Sequence, residues 1–96
     1  MKVRYYLDQA TGEPHIYGHA VSEHEVEEVL DSPTEDRPGS DGSRIAIGKT
    51  AAGRYLRVIY VPDAEPKDSV FVITSYDLTG KPLTAYRRRR RKKGKR

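Results

Sequence analysis

The chain contains no cysteine, which excludes disulfide stapling and thiolate chemistry and fits a reducing compartment. It lacks any apolar run near the roughly 20 residues that a membrane-spanning helix needs. Its opening, Met-Lys-Val-Arg-Tyr-Tyr-Leu-Asp, has no apolar centre of the secretory-signal type. These absences together lead us to expect a cytoplasmic protein with no membrane partner. Apolar residues are also scarce, at 35% of 96. One small domain with a modest core is what such a chain can build. Neither an internal repeat nor a second domain is visible. Seven tyrosines offset the shortage in part, since each brings a large ring whose hydroxyl stays wet or bonded.

Charge is abundant and divided. The last ten residues carry nine of the eighteen Lys and Arg side chains. Residues 1–86 carry the other nine against all fourteen Asp and Glu, a net charge of −5. An acidic domain over 1–86 with a basic tail over 87–96 is the expected organisation.

Local signals place most elements. Residues 2–7 read as a short strand rich in Tyr and Val. Ser22 and Glu25 have the spacing of a capping box, and Val21 and Val26 that of a hydrophobic staple. Val26, Val29 and Leu30 then form one apolar helix face, which Pro33 terminates. Residues 32–43 are expected to be a long polar loop. Three strands follow at 44–50, 54–61 and 69–76, the first two joined by a hairpin in which Gly53 supplies a positive φ. Short connections imply antiparallel pairing. Thr79 to Pro82 opens a second helix, anchored by Leu83 and Tyr86 before the basic run. The expected fold class is α+β, an antiparallel meander sheet with one capped helix packed on it and a C-terminal helix running into the basic tail.

Two segments resemble a known family. His19-Ala-Val-Ser-Glu-His-Glu-Val-Glu-Glu-Val-Leu30 is similar to the His-Gly-Val-Ser…Glu-x-x-Glu-Val opening of the BrnT toxins. Ser43-Arg-Ile-Ala-Ile-Gly-Lys-Thr-Ala-Ala-Gly-Arg-Tyr-Leu-Arg-Val-Ile-Tyr60 is similar to their hairpin. The resemblance spans roughly residues 19–86. It implies a RelE-like fold, ribonuclease toxin activity and a small DNA-binding antitoxin as partner. The chain departs from the pattern at Gly18, where the family has Lys, at Tyr76, where it has Arg, and at Pro82, where it has Glu. Its ending, Val-Ile-Thr-Ser-Tyr-Asp-Leu, resembles that of uncharacterised BrnT-related domains. The family's catalytic positions are therefore only partly matched.

RNA cleavage would need an acid or base near neutral pKa and cations for the phosphate and the developing charge. His19 suits the first role, and Arg54 and Arg57 the others, with Lys49 facing them across the hairpin. Arg54 and Arg57 are three positions apart, so a regular strand sends them to opposite faces unless a bulge intervenes. The acidic body also repels RNA. His15 and His19 have a spacing that suits zinc on a helix, but Pro14 and Gly18 interrupt that helix, so no metal is expected. Gly48-Lys49-Thr50 lacks the earlier glycine and the following helix of a phosphate loop. No cofactor is expected.

The basic tail remains the strongest chemical feature. Arg87, Arg88, Arg89, Arg90, Arg91, Lys92, Lys93, Lys95 and Arg96 are the expected nucleic-acid contacts, because guanidinium forks bind phosphate bidentately and stack on bases. Such binding is sequence-independent, with RNA favoured over DNA. The alternatives are a ribonuclease toxin of a toxin–antitoxin pair and a protein-interaction module. The module would use the acidic helix 22–31 to hold a basic, antitoxin-like protein; acidic residues 23–36 could also dock the basic tail of the same chain or of a neighbour, head to tail, or simply form a solvated helix face.

Overall fold

The capped helix forms at the expected residues. In α1 (Glu23–Asp31), Ser22 Oγ accepts the Glu25 N–H at 3.2 Å, and Glu25 Oε1 accepts the Ser22 N–H at 3.0 Å. The reciprocal pair satisfies two backbone donors that the first turn leaves open. Val21, Val26, Val29 and Leu30 are all buried. The helix ends at its cap Ser32, next to Pro33. This computed structural model describes residues 1–94, with side chains to Lys92. The expected contacts Lys95 and Arg96, and the side chain of Lys93, lie outside the described residues.

Five strands form one sheet: β1 (Lys2–Tyr5), β2 (Glu35–Pro38), β3 (Arg44–Lys49), β4 (Tyr55–Pro62) and β5 (Ser69–Asp77), in the order β1-β5-β4-β3-β2. Strands β3 to β5 are the expected antiparallel meander, which β2 extends at one edge. The hairpin between β3 and β4 turns at Gly53, whose φ is +94°.

Two expectations need correction. The sheet is mixed, because β1 runs parallel to β5 in the register Lys2↔Ser69 to Tyr5↔Val72. Short connections govern only the meander; β1 and β5 lie some sixty residues apart, and nothing local fixes their relative direction. Residues 32–43 are also not wholly loop, since Glu35–Pro38 pairs with β3 as an edge strand. Its side chains are polar because an edge strand can face water, and Pro38 stands at its last position.

The two faces of the sheet are covered unequally. Ala46, Leu56, Val58, Tyr60, Val70 and Val72 pack with α1 and with Ile16 of a 3-10 turn (His15–His19) to form the main core. Alternation sends Ile45, Ile47 and Tyr55 to the opposite face. There they meet Leu78 and the second helix, α2 (Gly80–Gly94), through Leu83 and Tyr86. α2 does not stop at the basic run; it continues through Arg87 to Arg91 as far as Gly94. Arg and Lys are good helix formers, so the run itself does not break the helix.

Candidate nucleic-acid interface

Because α2 is anchored by Leu83 and Tyr86, the periodicity of the helix decides where each later cation points. Arg89 turns inward to β2, where Nε donates to Glu35 Oε2 at 2.8 Å and Nη2 to Glu35 Oε1 at 2.9 Å. This fork, foremost, holds the Glu35 carboxyl below its ordinary range. Arg90 Nη1 donates to the Thr34 carbonyl at 3.3 Å, and the Thr34 hydroxyl is bonded to the Tyr86 hydroxyl. Of the acidic residues 23–36, on which the basic run could dock in its own chain or a neighbour's, Glu35 is the one that Arg89 holds in this chain, among the described residues. Arg87, Arg88, Arg91 and Lys92 are exposed, and among the described residues none of the four is paired with a carboxylate.

A cleft of about 440 Å³ lies between this helix and the β3–β4 hairpin. Its walls are Lys49, Tyr55, Tyr86, Arg87, Arg90 and Arg91, with Thr34 at one side. Lys49 faces Tyr55 across the hairpin. Lys49 Nζ and the Arg87 guanidinium carbon each lie 5.4 Å from the centre of the Tyr55 ring, within cation–π reach. Tyr86 meets the same ring edge-on at 5.9 Å. Among the described residues the lining holds four cations, two aromatic rings and no carboxylate, a composition suited to an anion carrying a flat ring. Tyr55, Tyr86 and Thr34 were not legible as site residues. The one available signal was the hairpin register, which puts Lys49 and Tyr55 on the face away from the main core.

The residues read as a cleavage site are arranged differently. Arg54 sits beneath the start of α1. Nε and Nη2 grip the two oxygens of Asp77 at 2.6 and 3.1 Å. Nη1 reaches Glu25 at 3.1 Å and the Ala20 carbonyl at 2.7 Å, and Nη2 also reaches the His19 carbonyl at 3.2 Å. These five contacts match the five donors of a guanidinium, so a phosphate at Arg54 has to displace one of them. Arg57 lies on the other face of the sheet, as its spacing from Arg54 requires. The register shift in β4 and β5 falls at Ile59/Tyr60, beyond both arginines, and does not reunite them. Arg57 Nε is buried and, among the described residues, has no hydrogen-bond partner. His19 is exposed, its ring 5.8 Å from Tyr76, and Tyr76 pairs with Arg57 across the strands.

His15 is bound through Nδ1 to Asp8 at 2.8 Å, and its ring meets that of His19 edge-on at 5.3 Å. Among the described residues no group of three or more His, Cys, Asp or Glu converges as metal ligands do. The acids of α1 are largely engaged within the chain. Glu23 accepts from the Tyr17 hydroxyl at 2.6 Å, Glu27 from the Tyr5 hydroxyl at 3.1 Å and Glu28 from the Ala51 N–H at 3.0 Å.

No family model, curated protein or solved structure matches the chain. Among the described residues no helix is long and apolar enough to cross a membrane.

Proposed function

We propose that this protein binds nucleic acid without sequence preference, RNA ahead of DNA, through the outward cations of α2. One observation carries the reading: a continuous helix presents Arg87, Arg88, Arg91 and Lys92 to solvent without carboxylate partners among the described residues. Phosphate oxygens satisfy such cations, and the release of condensed counterions supplies the affinity.

We also read the fold as RelE/BrnT-like. The two segments that carry the resemblance coincide with α1 and with the β3–β4 hairpin. Within that reading the protein is not a competent ribonuclease, because Arg54 serves α1, β5 and the turn before α1 rather than a vacant phosphate site. A small basic, antitoxin-like partner on helix 22–31 is the weaker alternative, since Glu23, Glu25, Glu27 and Glu28 are already bonded within the chain.

The test is a salt titration of RNA binding. One phosphate on each of the four outward cations gives a log–log slope of about −4 on a duplex and a shallower one on a single strand. The triple variant Arg88→Gln, Arg91→Gln, Lys92→Gln should lose about three units of slope on a duplex, one for each contact removed. An unchanged slope would place the contacts elsewhere. RNA cleavage that disappears in His19→Ala would restore the enzyme reading.

A further inference from the structure

We infer that the cleft between α2 and the β3–β4 hairpin takes one unpaired nucleotide, its base stacked on Tyr55, and so makes the protein prefer single strands to duplexes. This rests on the nucleic-acid reading and adds a second site to it. The outward cations of α2 contact phosphates on any polynucleotide, whereas the cleft is concave and aromatic. Its volume of about 440 Å³ lies within the roughly 300–1,000 Å³ typical of small-molecule sites. The Tyr55 ring is half-buried and already attracts Lys49 and Arg87, each 5.4 Å from its centre. A planar base that displaces Lys49 or Arg87 from over the Tyr55 ring gains stacking on the tyrosine, and the freed cation is left to its phosphate. Arg90 and Arg91 then lie along the wall for the flanking phosphates. The cleft has no carboxylate to oppose them. A duplex keeps its bases inside the stack and cannot offer one to this ring, so it is held only by the outer cations.

The experiment compares a labelled oligouridine with an RNA duplex of equal length, at fixed salt, by fluorescence anisotropy. Stacking of one base corresponds to about a tenfold or larger gain in affinity. The intact chain should therefore bind oligouridine about tenfold more tightly than the phosphate contacts alone allow. Tyr55→Leu, which keeps an apolar side chain against α2, should lose about that factor on oligouridine and less than twofold on the duplex. The Arg88→Gln, Arg91→Gln, Lys92→Gln variant should weaken both. Tyr55→Trp gives a second readout that does not depend on affinity, because the chain has no other tryptophan. Its emission should be quenched by oligouridine and not by the duplex. Equal losses on both probes in Tyr55→Leu, or no quenching in Tyr55→Trp, overturns the cleft and leaves the helix reading standing. Binding of neither probe by the intact chain overturns both.

Discussion

Arg54 grips Asp77 in a fork, Nε to Oδ1 at 2.6 Å and Nη2 to Oδ2 at 3.1 Å. With its bonds to Glu25 and to the Ala20 and His19 carbonyls, one side chain joins the start of β4, the end of β5 and the entry to α1. The Asp77 carboxyl is held below its ordinary range chiefly by this fork. That of Glu25 is held down first by the Ser22 N–H and then by Arg54. Arg54→Ala leaves two carboxylates without their cation, at a site where the arginine is only 24% exposed. The expected loss in urea unfolding is about 2 kcal/mol. Arg54→Lys should recover less than half, because an ammonium cannot reproduce a planar fork. A loss no larger than an exposed pair allows, under about 0.5 kcal/mol, would refute the hub.

Glu35 sets an acid limit on the docking of α2. Its carboxyl is lowered from 4.5 by the Arg89 fork before any other cause. A group with a depressed folded pKa stabilises fully above its unfolded value and loses that contribution as pH falls through the folded one. The docking contribution should therefore be complete above pH 4.5 and fade below it, as should that of Glu25, while those of Asp77 and Asp63 should hold down to 3.8 before they fade. Glu35→Gln should lower the melting temperature at pH 7, and its curve should converge with that of the wild type as the pH falls below 4.5 and on through the folded pKa of Glu35. A gap of equal size at both ends of the range would exclude Glu35 as a titrating contributor.

At Gly48 the sheet lies directly under Val29 of α1. A Cβ there would lie 3.2 Å from Val29 Cγ1 and 3.5 Å from Cγ2. Gly48→Ala should cost about 1–2 kcal/mol through crowding. Val29→Ala should cost a similar amount through the cavity it opens. The two defects complement each other in space, so the double variant should be less destabilised than the two losses added together, by at least about 0.5 kcal/mol. Additive losses in a thermal or urea cycle would show that the helix moves away as a whole instead.

Much of this architecture was legible because its signals are local. The capping box, the Val26–Leu30 face and the Gly53 hairpin each involve residues within a few positions of one another. β2 was missed because an edge strand with charged side chains has no apolar alternation to read. The direction of β1 was missed because its pairing partner lies at the far end of the chain. The basic run could be read as a tail because neither of its tertiary restraints is visible locally: Tyr86 on Tyr55, and Arg89 on Glu35 more than fifty residues away. The same separation hid the cleft, whose walls come from β3, β4 and α2. Arg54 was legible as important but not in its role, since a guanidinium suited to phosphate is equally suited to two carboxylates and two carbonyls.

Tyr86 separates the stability of α2 from that of the sheet. It is buried to 3% exposure in a small cluster with Ile47 and Leu78, while the main core draws no residue from α2. A fifteen-residue helix is marginal in water by itself, so its order depends on this anchor, on Leu83 and on Arg89–Glu35. Loss of a buried aromatic ring costs about 3 kcal/mol, more than a partly exposed ion pair worth about 1 kcal/mol can offset. Tyr86→Ala should therefore undock α2 while the sheet stays folded. In hydrogen exchange the amides of Gly80–Gly94 should approach unprotected rates. Those of Val58 and Val72, in the main core, should keep substantial protection. Simultaneous loss of protection in α2 and in the central strands would mean that the two clusters fold as one unit.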